Sequence, residues 1–177
     1  LICVLCYMAT GLDAFDATVH AMTTVATGGF ANYDASFGAF GAGTQYVAVI
    51  FMLVAALPFV RFVQLTAGTA KPLLTDPQIR GFFLTGLVLV LVMAAWQFSQ
   101  VSNPSEPAFR MALFNTVSIL TGTGYASADY MLWGAFPVAI LFFTGLIGGC
   151  AGSTSCSIKI FRYQLLFSSI KAQLRRI

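Results

Sequence analysis

Charge is scarce in this chain: 8% of its 177 residues are Asp, Glu, Lys or Arg, against roughly 25% in an ordinary soluble domain. That scarcity excludes a soluble globular protein. There is one histidine, and there are four cysteines. Cys3 and Cys6 form a CxxC inside an apolar run, Cys150 and Cys156 share one loop, and no second pair stands at ligand spacing. The four convergent ligands of a structural zinc are missing, so the cysteines read as small buried hydrophobes. No nucleophile lies beside a base, and there is no carboxylate pair and no phosphate loop, which sets enzymology aside; GTQYV and GSTS are not such motifs. No signal peptide with a basic flank and cleavage site opens the chain. It begins without Met inside an apolar run, as a fragment of a longer protein would.

What is abundant is apolar. Hydrophobic residues make up 58%, with 17 Phe and 16 Gly, a mixture suited to packed membrane helices, where Gly is commoner than in soluble ones. Charge is absent from Ala35 to Val60, from Gly81 to Ser105 and from Tyr130 to Ile158, and each stretch exceeds the about 20 residues that cross a bilayer as helix. Leu1 to Leu12 is apolar but short, so it reads as the tail of a span that starts upstream. The basic residues set the orientation. Arg61, Lys71 and Arg80 lie between the second and third spans, and Lys159, Arg162, Lys171, Arg175 and Arg176 follow the last; this places eight of the nine on the cytoplasmic side. Asp13, Asp16, Asp34, Glu106 and Asp129 fall on the other side, leaving Asp76 inside. With Pro72, Pro77 and Thr75-Asp76, the 61–80 connection is expected to be a cytoplasmic loop that breaks helix structure.

Two segments fit neither span nor loop: Ala14 to Phe30 and Ala108 to Tyr125. Both are too apolar for solvent and too rich in Thr and Gly for lipid, and both start and end on the outer side. Non-helical backbone survives at membrane depth only where protein or water satisfies it, as in re-entrant loops and selectivity filters. Each is therefore expected to be a half-helix followed by an extended Gly strand. Asp13 and Asp16, and Ser105, Glu106 and Pro107, stand where a cap and first turn belong. The partially negative C-terminal ends then point inward, where a cation is favoured.

The second segment lies on the first at an offset of 95 (124 minus 29), which pairs Gly29 with Gly124, Phe30 with Tyr125, Ala31 with Ala126, Asp34 with Asp129, Thr23 with Ser118 and Val25 with Leu120. The chain thus repeats span, half-helix, Gly strand and span. Arg61-Phe62 and Arg162-Tyr163 pair at 101, so the second copy carries six extra residues (101 minus 95) around Gly148 to Cys156. A potassium ion loses its water only if a pore supplies other oxygens, and rings of backbone carbonyls do so. Turning successive carbonyls to one axis needs positive φ, which glycine adopts readily. The candidate filter is Ala26, Thr27, Gly28, Gly29 and Phe30 with Thr121, Gly122, Thr123, Gly124 and Tyr125; the carbonyls of Thr27, Gly28, Gly122 and Thr123 would hold K+. Phe30 and Tyr125 are expected to wedge outward and fix the strands' diameter.

HAMTTVATGGFANYDAS from His20, NTVSILTGTGYASAD from Asn115 and GGCAGSTSCSIK from Gly148 resemble the second and third repeats of the TrkH family, the membrane subunits of bacterial Trk potassium uptake systems within the Trk/Ktr/HKT group. The resemblance covers essentially the whole chain. It implies an all-α membrane protein of four helix–pore-loop–helix repeats around one potassium pathway, in the bacterial cytoplasmic (inner) membrane, with Gly29 and Gly124 at the key filter positions. On that basis residues 1–65 form one repeat, 66–80 a cytoplasmic connection and 81–177 a second repeat. The implied partners are the two remaining repeats, a second copy in a homodimer, and a cytosolic nucleotide-binding, TrkA-like regulatory subunit. K+ is the transported ion, with no organic cofactor and no nucleic acid. The extra residues match the family's intramembrane gating loop: Gly148, Gly149, Cys150, Ala151, Gly152, Ser153, Thr154 and Ser155, with Lys159 close enough to act on it electrostatically. Its glycines break the helix and its hydroxyls are expected to face a water-filled cavity. Where relatives often carry further Gly, this chain has Cys156 and Ser157.

His20 and Asn115 are expected to hydrogen-bond behind the filter rather than bind a metal. Asp34 and Asp129 either gather cations at the mouth or cap helices, and Arg162 anchors the inner side. Two other functions compete. An ion-coupled secondary transporter needs intramembrane acids, and none is visible; a packing scaffold predicts no cation at the Gly strands.

Overall fold

The computed structural model describes residues 1–100 and 105–176. Ile2–Ala9 (α1) ends in a turn at Thr10, and Ala14–Val25 (α2) starts on Asp13, whose carboxylate accepts the Asp16 N–H at 2.8 Å. That bond satisfies one of the open amides of the first turn. A strand without ladder partners returns through residues 26–33 to a 3₁₀ turn at Ser36–Ala39, and Ala42–Ala55 (α3) follows. Pro77–Gln100 (α6) is the one described helix long and apolar enough to cross a membrane by itself. It buries Ile79, Phe82, Gly86, Val90, Met93, Ala94 and Gln97, a single stripe at three- and four-residue spacing. Phe83, Leu84, Leu87, Val88 and Leu91 remain exposed on the rest of its surface, as a lipid-facing helix requires. Against the buried stripe lies Glu106–Thr121 (α7), which leads into the second Gly strand, a 3₁₀ turn at Tyr130–Trp133 and Ala135–Leu146 (α8).

Three sequence expectations need correction. The charge-free stretch from Ala35 to Val60 is not one span: α3 stops at Ala55, and Phe59–Thr66 (α4) leaves at 90°. Pro58 starts the break, because it has no N–H to continue the ladder and its ring obstructs the preceding turn. The 61–80 connection is not an irregular loop, since α4, Lys71–Thr75 (α5) and the start of α6 occupy most of it. Its lone acid is satisfied locally: Asp76 pairs with Arg61 at 2.7 Å while accepting the Gln78 N–H at 2.8 Å. The stretch from Tyr130 to Ile158 also stops early. After Leu146 the chain forms a two-residue strand, Ile147–Gly148 (β1), parallel to Ile158–Lys159 (β2), with residues 149–157 as a closed loop between them. Ile160–Leu174 (α9) continues beyond it. The third span is α6, which starts earlier than expected, at Pro77; residues 101–104 lie outside the described residues.

Candidate ion-conduction site

The two Gly strands follow α2 and α7 and share the bonds that pin their ends. The Gly28 amide donates to the Thr23 carbonyl at 2.7 Å, and the Thr123 amide to that of Ser118 at 2.9 Å. At the far end the Thr23 hydroxyl donates to the Phe30 carbonyl at 3.0 Å, and the Ser118 hydroxyl to that of Tyr125 at 2.7 Å. Between these pins φ alternates. Thr27 (+50°) and Gly29 (+72°) are left-handed in the first strand, as are Gly122 (+74°) and Gly124 (+85°) in the second. No described N–H or O–H donates to the carbonyls of Thr27, Gly28, Gly29, Gly122, Thr123 or Gly124. Thr27 and Thr123 are buried and the four glycines half-buried or exposed, and carbonyls without protein donors need water or an ion.

Strand separation depends on glycine. A Cβ on Gly29 would lie 2.0 Å from the Thr123 carbonyl oxygen, so that oxygen is aimed across the gap between strands. Thr27 is the exception, a β-branched residue at positive φ, which costs about 1 kcal/mol or more. Its hydroxyl is within bonding distance of the Ala26 carbonyl (2.8 Å) and of the Thr154 carbonyl (2.9 Å).

Thr154 belongs to the 149–157 loop, which sits at the inner ends of both strands. The loop also completes the end of α3: the Cys150 amide donates to the Ala56 carbonyl at 2.9 Å, and the Thr154 hydroxyl reaches the carbonyls of Val25 (3.1 Å) and Ala55 (3.2 Å). At the second strand, a Cβ on Gly122 would come within 3.0 Å of the Cys156 Cβ. Gly149 lets the loop approach Ala56, whose carbonyl would lie 2.7 Å from an added Cβ. The hydroxyls expected to face a cavity bond to backbone instead. Ser153 donates to the Cys150 carbonyl at 2.7 Å, and Ser155 accepts the Gly149 amide at 2.8 Å. A loop that breaks helix structure leaves backbone groups open, and short hydroxyls are the nearest partners. The Lys159 ammonium donates to the Ser155 carbonyl, tying that residue to the loop.

Behind the strands, His20 is fully buried; its Nδ1 donates to the Asp16 carbonyl at 2.7 Å and its Nε2 accepts the Asn32 amide at 3.4 Å. Asp34 and Asp129 are exposed and line one depression of about 440 Å³ at the outer ends of the strands. Asp129 also caps the Tyr130–Trp133 turn through the Met131 amide at 3.0 Å. Tyr125 wedges into the helices as expected, 1% exposed and 4.2 Å from the Phe37 ring centroid. Phe30 does not: it is 75% exposed, with no described helix in the place that α2 takes beside Tyr125. Cys3 and Cys150 are buried, but Cys156 is exposed, contrary to its reading as a buried hydrophobe. Its neighbours hold the loop's backbone and leave the thiol outside.

Three contributors escape the sequence pattern. Phe37, wholly buried, gathers the rings of Tyr7, His20, Phe40, Phe114 and Tyr125. Gln45 donates to the Phe37 carbonyl at 2.9 Å and accepts from Arg110 at 2.6 Å. Arg110 in turn pairs with Glu106 at 2.8 Å; this guanidinium, then the Tyr46 hydroxyl, holds the Glu106 carboxyl below its ordinary range. The lone basic residue on the acidic side was the available signal.

Spans whose half-helices return on glycine strands belong to the helical membrane transport proteins. The sequence profile of the TrkH family, described as a cation transport protein, matches residues 6–177, and this chain belongs to that family. It is 43% identical over 177 residues to the Trk system potassium uptake protein TrkI of Halomonas elongata, covering 99% of this chain and 36% of that protein. The Trk system potassium uptake protein TrkH of Escherichia coli is 33% identical over 179 residues, at 99% and 37% coverage. The crystal structure of the potassium transporter TrkH from Vibrio parahaemolyticus superposes with a TM-score of 0.91 at 32% identity, over 99% of this chain and 38% of that one. The chain therefore spans little more than a third of the length of the relatives it matches.

Proposed function

We propose that this chain supplies two of four walls of a potassium uptake pathway in the bacterial cytoplasmic membrane. Residues 1–65 and 81–177 act as consecutive pore-loop repeats joined by 66–80. The observation that carries the proposal is the pair of strands with alternating positive φ and undonated carbonyls, pinned identically at both ends. Carbonyls of Thr27, Gly28, Gly122 and Thr123 replace the ion's hydration shell, and the C-terminal ends of α2 and α7 add negative potential beneath it.

Loop 148–157, with Lys159, acts as the gate. Its contacts with Thr27 and Gly122 support that role, because any ion leaving the strands inward meets it first. The remaining repeats, a second copy and a TrkA-like cytosolic nucleotide-binding subunit complete the assembly. The test is K+ against Na+ uptake by the full-length protein carrying Gly124→Ser. Loss of K+ preference is expected; unaltered preference with normal membrane insertion overturns the proposal.

A further inference from the structure

The Tyr125 hydroxyl does not stay within its own repeat. It crosses to α2, where it bonds the Thr23 hydroxyl and lies 3.3 Å from both the Thr24 hydroxyl and the His20 carbonyl. Proton directions follow from the acceptors. Thr24 donates to the His20 carbonyl at 2.6 Å, and its oxygen takes the Tyr7 hydroxyl at 2.8 Å. Thr23 has a single proton and two carbonyls in reach: its own helix's His20 at 3.3 Å and Phe30, at the end of the first Gly strand, at 3.0 Å. Left alone, a helical threonine bonds back to the preceding turn. The Tyr125 proton has two acceptors in reach, the Thr23 oxygen and the His20 carbonyl; given to Thr23, it fills the lone pair on that side and leaves the Thr23 proton to Phe30.

We infer that Tyr125 is a positioning residue for ion selectivity in the neighbouring repeat: through Thr23 it holds the Phe30 carbonyl away from the pathway, so that the first strand presents only its Thr27, Gly28 and Gly29 oxygens. The inference rests on the filter assignment above. Tyr125, Thr24 and Tyr7 are buried and Thr23 is half-buried, so most of this chain of hydroxyls lies away from water, where such bonds are strongest and broken ones costliest. It is also one-sided. Position 30 is Phe, with no hydroxyl, and among the described residues the Tyr125 carbonyl is held by the Ser118 hydroxyl.

The test measures K+ and Na+ uptake by the full-length protein with Tyr125→Phe, Thr23→Val, the double variant and Thr23→Ser. Tyr125→Phe keeps the ring packing against Phe37 and removes only the hydroxyl. The K+/Na+ preference is expected to fall roughly three- to tenfold, the worth of one buried hydrogen bond. Thr23→Val should do the same, the double variant no more, and Thr23→Ser should restore the parent value. Gly124→Ser in the same assay separates the two claims. If it abolishes preference while Tyr125→Phe does not alter it, or if the Tyr125 and Thr23 effects add, this inference is overturned and the filter assignment stands. If Gly124→Ser changes nothing, both fall.

Discussion

His20 and Asn115 stand 95 residues apart (115 minus 20) and make the same two bonds. Each donates to the carbonyl four residues before it, Asp16 at 2.7 Å and Met111 at 2.8 Å. Each accepts the amide twelve residues after it, Asn32 at 3.4 Å and Ser127 at 3.2 Å. An imidazole and a carboxamide therefore perform one mechanical task, tying the rim of a Gly strand to its half-helix. That equivalence supplies the first prediction. His20→Asn keeps both bonds and is expected to leave stability within about 1 kcal/mol of the parent, whereas His20→Leu strands the Asn32 amide and costs roughly 1–3 kcal/mol. Thermal unfolding of the detergent-purified full-length protein distinguishes them; equal losses would contradict the assignment.

The glycines proposed for the filter, Gly29 and Gly124, should differ in response to alanine. Both hold positive φ, which costs roughly 1–2 kcal/mol in any residue with a Cβ. At Gly29 the methyl also meets the Thr123 oxygen at 2.0 Å, while at Gly124 nothing lies within 4 Å. Gly29→Ala is thus expected to abolish K+ uptake, and Gly124→Ala to retain a measurable fraction. Rubidium influx into potassium-starved cells ranks the two, and the opposite ranking refutes the geometry.

Thr154→Val removes the hydroxyl that reaches the carbonyls of Val25 and Ala55 but keeps the carbonyl that faces Thr27. Uptake rate is expected to change severalfold, in line with about 1 kcal/mol for a hydrogen bond, with the K+/Na+ ratio unchanged. A changed ratio would assign the loop to selectivity rather than to gating.

Acid weakens the outer rim in a defined direction. The Tyr33 hydroxyl at 2.6 Å, then the Asn32 amide at 2.8 Å, hold the Asp16 carboxyl below its ordinary value. A group with a lowered folded-state pKa contributes stability that is complete above its unfolded value and lost as pH falls through the folded one. The melting-temperature gap between the parent and Asp16→Asn should therefore be constant near neutrality and close as pH drops below about 4. A gap that persists in acid rules out the ionised carboxylate as its source.

Much of the site was legible because its logic is local and occurs twice. Half-helix starts at Asp13 and Glu106, glycines at 29 and 124, and the pairing of Thr23 with Ser118 all lie within short windows that repeat. The break after Ala55 was not. Apolar composition carries straight through Val60, and the groups that accept the break, the Cys150 amide and the Thr154 hydroxyl, lie some hundred residues further on. Nor did composition reveal that Thr23 serves two strands, since its partner Tyr125 is separated by 102 positions. Phe30 and Tyr125 look interchangeable in the alignment of the repeats; burial separates them, since among the described residues only Tyr125 lies against a half-helix of the other repeat.

Loop 149–157 finishes α3, a helix of the other repeat. Mutations there double as lesions in a distant helix terminus, so under the proposed gating role altered flux and altered folding yield should rise and fall together across any set of loop variants. Residues 1–65 and 81–177 are also not independent: neither can be excised or exchanged intact, because hydrogen bonds run from one to the other.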